Sequence, residues 1–180
     1  MKRLFFALWP PANLAQQLAG VAAQTQFTGK RILAPQMHLT LRFLGSLNCA
    51  STSALVQAVQ QALRDVPPSG FTLQLTRLGY FTKPRILWLG PDQAPPALQT
   101  LAALVDTACA TAGLAPRQSA FKPHVTLARR ALPPQTNADT SPLTWNVKTF
   151  CLAQSTLDAN GAHYQVLKQW RLREPAHPTP

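Results

Sequence analysis

His38-Leu39-Thr40-Leu41 returns as His124-Val125-Thr126-Leu127, the same His-x-Thr pattern in each half of a 180-residue chain. Apolar residues alternate with polar ones around both copies. That period predicts β-strands, in which successive side chains point to opposite faces. Leu39, Leu41, Val125 and Leu127 then enter a core, while His38 with Thr40 and His124 with Thr126 share the other face. Two such strands side by side form a cleft holding two imidazoles and two hydroxyls. Strict alternation also carries Arg42 onto the His38 face. It sends Arg129 to the core side with Leu127 unless the strand ends or twists there.

Lys and Arg number 17 against 6 Asp and Glu, a formal charge of +11, and 46% of the residues are hydrophobic. The hydrophobic content excludes a disordered basic tail, and the charge favours a polyanion partner, because phosphates attract Lys and Arg. A chain of this length buries a core without staples. Cys49, Cys109 and Cys151 form no Cys-x-x-Cys pair and have no His at zinc-ligand spacing. They predict free thiols in a reducing compartment, hence a cytoplasmic protein with no metal. The run from Leu4 to Trp9 is shorter than the apolar core of a secretory leader and stops at Pro10-Pro11. No stretch approaches the ~20 apolar residues of a membrane span, so no membrane partner is expected.

Outward from the motifs, residues 3 to 9 read as a strand, and Pro11 opens a helix with Leu14, Leu18 and Val21 on one face. The first motif strand runs from His38 to Leu44. A second helix starts with Ser51 or Ser53 as its cap and carries Leu55, Val59 and Leu63. Two strands follow, at Phe71 to Leu75 and Ile86 to Leu89, then a helix from Pro96 to Ala112 stopped at Gly113. After the second motif strand come two more, from Trp145 to Ser155 and Tyr164 to Leu172. Pro133 to Pro142 reads as a surface loop and residues 174–180 as a loose tail. Interleaved helices with short strand connections predict α+β with antiparallel sheets, and the recurring order suggests an internal duplication. No linker divides the chain, so residues 1–180 read as a single bilobal catalytic domain.

Histidine takes or gives a proton near neutrality, so a facing pair serves as base and acid at once. Cleavage of a phosphate ester needs a proton removed from the attacking water and one delivered to the leaving oxygen. Threonine hydroxyls beside them stabilise charge on the non-bridging oxygens. One His-x-Thr arises readily by chance; two copies use half of the four histidines in the chain. His163 and His177 lack this context. A zinc site from His38, His124 and a cysteine lacks the usual ligand spacing. Lys122, Arg129 and Arg130 form a candidate track for an RNA backbone. Phe5, Phe121 and the four tryptophans are candidate base-stacking residues, though aromatics on alternating strands more often belong to a core.

Beyond the paired motifs, four longer strings carry a resemblance: Arg3-Leu4-Phe5-Phe6-Ala7-Leu8, His38-Leu39-Thr40-Leu41-Arg42-Phe43-Leu44-Gly45, Arg85-Ile86-Leu87-Trp88-Leu89-Gly90, and Phe121-Lys122-Pro123-His124-Val125-Thr126-Leu127-Ala128-Arg129. The chain resembles the 2H phosphoesterase superfamily and, within it, the RNA 2′,3′-cyclic phosphodiesterases, also called 2′-5′ RNA ligases. The resemblance runs from about residue 3 to 172. It implies two pseudo-symmetric lobes of mainly antiparallel sheet with outer helices around a central cleft. It also implies hydrolysis of an RNA 2′,3′-cyclic phosphate to a 2′-phosphate, without metal or cofactor, and 2′-5′ ligation as the reverse reaction. By the same resemblance His38 falls at the proton donor, His124 at the proton acceptor, and Thr40, Thr126 and Arg129 at the substrate phosphate. The implied partner is RNA with cyclic phosphate ends, tRNA fragments among the candidates, met by a monomer. The two motifs are near-equivalent as residues, so the acid and base roles rest on the resemblance alone. Two alternatives stay open: a 2H enzyme acting on a small cyclic-phosphate nucleotide, and a non-catalytic RNA-binding protein.

Overall fold

The alternation around both motifs becomes two strands of one sheet, seen in a computed structural model that describes residues 3–133, 141–158 and 161–174. Within them run β1 (Arg3–Leu8), α1 (Ala12–Gln24), β2 (Lys30–Arg31), a 3₁₀ turn (Ala34–Gln36), β3 (Leu39–Gly45), α2 (Cys49–Asp65) and β4 (Phe71–Leu75). There follow β5 (Arg77–Phe81), β6 (Ile86–Gly90), α3 (Pro96–Thr111), β7 (Val125–Arg129), β8 (Leu143–Val147), β9 (Thr149–Asp158) and β10 (Gly161–Arg171). Most of the expected Pro-rich loop, and the tail beyond Glu174 with His177, lie outside the described residues.

The main sheet is antiparallel, in the order β10-β9-β1-β3-β7-β6-β5, with β2 also on β7; β4 and β8 form a separate two-stranded ladder. Its two halves meet at β3 and β7, where Leu39 pairs with Val125. The α+β reading with two lobes holds. The helices cover one face, α3 against β3 and α1 against β7, with α2 on α3. Leu39, Leu41, Val125 and Leu127 are fully buried there among Leu14, Leu18, Leu101 and Val105. Each such leucine stabilises the fold by about 1.5–3 kcal/mol relative to an exposed one. The opposite face is the cleft.

Local chemistry explains the helices. Pro11 stands as the extended cap residue of α1, and Leu14, Leu18 and Ala22 recur on its buried side. In α2 the cap is Asn48, not Ser51 or Ser53: its side-chain oxygen accepts the Ser51 amide hydrogen at 2.8 Å. Pro96 opens α3, and Gly113 ends it at φ 76°, a left-handed conformation that suits glycine. Two strand expectations need correction. β5 completes a hairpin with β6, so three strands stand where two were expected. The run from Trp145 to Ser155 breaks at Lys148, β8 leaving to pair with β4 and β9 with β1.

Both motif strands carry a bulge at the same place. On β3 the register passes from Thr40 opposite Ala7 to Arg42 opposite Phe6, leaving Leu41 as the extra residue. On β7 it passes from Thr126 opposite Trp88 to Ala128 opposite Leu87, leaving Leu127. A bulge puts two consecutive residues on one side and so resets the alternation. Arg42 therefore does not share the His38 face. It is 6% exposed, under α3, with Nη1 donating to Asp106 Oδ1 and Nη2 to the Ala115 carbonyl. Asp106 also accepts from Arg117 Nε at 2.9 Å and Nη2 at 3.0 Å, fastening the segment before β7 to the sheet.

Replacing Asp106 by Ala leaves Arg42 charged, buried and short of its carboxylate. The expected loss is about 2–4 kcal/mol, read from the urea midpoint. The Arg42→Met, Asp106→Leu pair should recover most of that loss; a pair as unstable as Asp106→Ala would contradict this assignment.

Candidate active site

The seam fixes what each histidine faces. His38 directly precedes β3 and His124 directly precedes β7. With Leu39 opposite Val125 in antiparallel register, His38 stands opposite Thr126 and His124 opposite Thr40. The cavities agree. His38, Thr126, Arg129 and Tyr164 line a narrow notch. Thr40, Phe43, Phe121 and His124 line a groove of about 850 Å³ that also carries Lys83 and Lys122. Each motif thus lends its threonine to the other motif's histidine.

The bulges decide what stands beyond the threonines. Arg129 returns to the cleft face, through the turn of the strand that strict alternation required. Its counterpart in the other lobe is Phe43, 59% exposed in the groove. The pseudo-symmetric cleft therefore has an arginine on the His38 side and an aromatic ring on the His124 side.

Hydrogen bonding fixes the imidazoles. His38 Nδ1 lies 2.7 Å from the Gln36 carbonyl, and His124 Nδ1 lies 2.6 Å from the Lys122 carbonyl. A carbonyl only accepts, so each Nδ1 carries a proton and each Nε2 is left as a lone-pair acceptor in the neutral ring. Gln36 is itself pinned, its Nε2 donating to the Ala162 carbonyl of β10 at 2.9 Å. Burial pushes His38 down from 6.5 to about 4; the Gln36 carbonyl opposes this, and the nearby Arg129 and His124 add to it. Burial likewise lowers His124, with the Lys122 carbonyl opposing and Arg129 assisting. Both rings are neutral at pH 7.

Aromatic rings supply that desolvation. Trp9 stacks on His38 at 5.0 Å and 18°, Phe5 lies at 5.0 Å, and Tyr164 meets it edge-on at 5.1 Å. Phe5 is 3% exposed, a wall behind His38 rather than a free base-stacking surface. Phe81 meets His124 edge-on at 5.1 Å, with Trp88 at 6.2 Å. Trp88 can lie flat because Gly79 opposes it: a Cβ at Gly79 would fall 2.1 Å from the indole. Trp9, a candidate only as one of four tryptophans, follows β1, and Tyr164 comes from β10, both far from the motif in sequence; Gln36 stands two residues before His38, in a 3₁₀ turn that strand periodicity did not predict.

Cys49 is exposed; Cys109 and Cys151 are buried, with burial pushing both thiols up to about 11. Among the described residues no group of three His, Cys, Asp or Glu gathers as a metal site, and no helix is long and apolar enough to cross a membrane.

A sheet with twin His-x-Thr strands meeting at a seam, each histidine without a partner at Nε2 among the described residues, defines the 2H phosphoesterase class. Residues 10–159 match the model of the 2′-5′ RNA ligase superfamily. The RNA 2′,3′-cyclic phosphodiesterase of Escherichia coli is 33% identical, over 96% of this chain and 98% of that protein. The enzyme of the same name from Thermus thermophilus is 32% identical over 95% and 90%. The crystal structure of E. coli LigT in apo form superposes with a TM-score of 0.84 at 31% identity, covering 96% of this chain and 98% of the other. The chain belongs to the 2′-5′ RNA ligase superfamily.

A histidine lowered by folding makes stability fall as pH falls, because the unfolded chain takes up its proton first. His38 should cost about 3 kcal/mol between pH 6.5 and 4 and nothing further below, with His124 adding in the same sense. Denaturation across that range should show a shallower decline in His38→Gln; an unchanged slope would contradict the assignment.

Proposed function

We propose that this protein hydrolyses the 2′,3′-cyclic phosphate at the end of an RNA to a 2′-phosphate. The observation that carries the reading is the crossed pairing of His38 with Thr126 and His124 with Thr40, both Nε2 atoms free. Relatives across nearly the full length bear the same activity in their names. A phosphate between the two strands meets a hydroxyl from each and the Arg129 guanidinium beside His38. His124 Nε2 takes a proton from water as the water oxygen bonds to phosphorus. The bond from phosphorus to the 3′ oxygen breaks, and that oxygen takes a proton from His38 Nε2. The ester at the 2′ oxygen survives. Joining RNA ends through a 2′-5′ linkage is the reverse, with acid and base exchanged.

His38 must hold a second ring proton to act as the acid, yet it is neutral at pH 7 in the free protein. The substrate's anionic phosphate supplies the remedy, since an opposite charge nearby raises a histidine's pKa. Proton and substrate thus bind together. Arg129 tempers this coupling, binding the phosphate while opposing imidazolium formation before it arrives.

RNA fits the cleft better than a small cyclic nucleotide. The groove on the His124 side extends past the threonines and carries Lys83 and Lys122, with the Lys122 ammonium 5.9 Å over the Phe81 ring. The charge of +11 supports the same substrate class. The reading includes tRNA fragments with cyclic ends, met in the cytoplasm by a monomer. The same reading has the chain act as one bilobal domain over residues 1–180.

A short RNA with a 2′,3′-cyclic phosphate, incubated in EDTA, should yield the 2′-phosphate. His38→Ala and His124→Ala should each slow turnover by about 10²–10⁴-fold. RNA binding without turnover would favour the binding-protein alternative. A faster reaction on a cyclic mononucleotide than on RNA would favour the small-substrate alternative. A 3′-phosphate product would exchange the two histidine roles.

A further inference from the structure

The two histidines are not held alike. Each gives its Nδ1 proton to a carbonyl two residues upstream, which fixes one edge of the ring and leaves a swing about that bond. At His124 the nearest ring, Phe81, meets the imidazole at 87°. At His38 the indole of Trp9 lies across it at 18°. Trp9 follows β1 and precedes Pro10 and Pro11, at a point where the chain leaves the sheet for α1. Half-buried, it in turn meets Tyr164 at 5.8 Å and packs on the Phe5, Ala7, Cys151 and Ala153 cluster.

We propose that Trp9 is a positioning residue for His38, its indole stacked on the imidazole so that the ring cannot swing and Nε2 stays aimed at the departing 3′ oxygen. This rests on the phosphodiesterase reading above. A displacement of about 1 Å between reacting groups costs on the order of 10²-fold in rate, so a face-to-face clamp beside the proton donor has a kinetic consequence. The clamp also holds water off His38. The charged or titratable groups facing His38 are Arg129 of β7, His124 at the start of that strand, and Tyr164 of β10; Trp9 and Phe5 come from the β1 side and carry no charge.

Removing the indole has two opposed effects on the imidazolium. Its cation–π attraction is lost, which lowers the pKa, and water is admitted, which raises it. Desolvation is the largest cause of the depressed value at His38, and Trp9 is one of the three rings packed on it, so the second effect is expected to outweigh the first and the titration to move up.

The test is Trp9→Leu beside Trp9→Phe, with the His38 and His124 ring carbons followed by NMR titration and turnover measured on cyclic-ended RNA. Trp9→Leu should raise the His38 pKa by at least about one unit and leave His124 within about 0.3. Its kcat should fall about tenfold or more with KM within about threefold, and Trp9→Phe, which keeps a flat ring, should restore kcat to within about threefold. Trp9→Met carries the same expectation should Trp9→Leu fail to fold. An unmoved His38, an equal shift at both histidines, or a Trp9→Phe variant as slow as Trp9→Leu would overturn the proposal. Wild-type protein inactive on the RNA would refute the phosphodiesterase reading instead, and the titrations would still decide whether Trp9 clamps His38.

Discussion

Each cleft imidazole gives its Nδ1 proton to a main-chain carbonyl two residues upstream, Gln36 for His38 and Lys122 for His124. That constraint sets the tautomer, and the tautomer sets the chemistry. A half-buried ring with Nδ1–H engaged offers a bare Nε2 to the cleft and resists a second proton. The site at rest is two bases. On the mechanism proposed above it becomes a base and an acid only when an anion arrives to stabilise one imidazolium, so the substrate phosphate is the condition for the histidine's protonation.

The twin bulges give this arrangement its handedness. At Leu41 and at Leu127 an extra residue turns the strand, and the residues that follow exchange faces. In one lobe this buries Arg42 beneath α3, where Asp106 ties it to Arg117 and so to the segment leading into β7. In the other it buries Ala128 and swings Arg129 into the cleft. A pseudo-two-fold arrangement of His and Thr is thereby furnished with a cation on one side and an aromatic groove on the other. The substrate phosphate and the rest of an RNA chain then have different places to go.

Much of this was legible in the sequence, and what was not has physical reasons. Leu14, Leu18 and Val21, or Leu98, Leu101 and Val105, recur at helical spacing and predict α1 and α3, although the buried residue of the last α1 turn is Ala22 and Val21 is only half-buried. The pairing of His38 with Thr40 and of His124 with Thr126 on one face followed from the two-residue strand period. The bulges did not follow, because a bulge is set by the partner strand: only the passage from Ala7 to Phe6 beside β3, and from Trp88 to Leu87 beside β7, places Arg42 inside and Arg129 outside. β5 escaped notice because Gly79 interrupts it, the glycine being needed where the Trp88 indole crosses. Asn48 rather than Ser51 caps α2 because the helix begins earlier than its apolar face. Trp9 and Tyr164 reach His38 from distant elements, and no local pattern joins them to it.

The most direct test of the central claim is ¹⁵N NMR of the histidine side chains at pH 7, free and with a bound 2′-phosphorylated nucleotide. The account predicts neutral Nδ1–H tautomers for both His38 and His124 in the free protein and an imidazolium at one of them in the complex. Nε2–H tautomers in the free protein, or two rings that stay neutral with the phosphate bound, would contradict it.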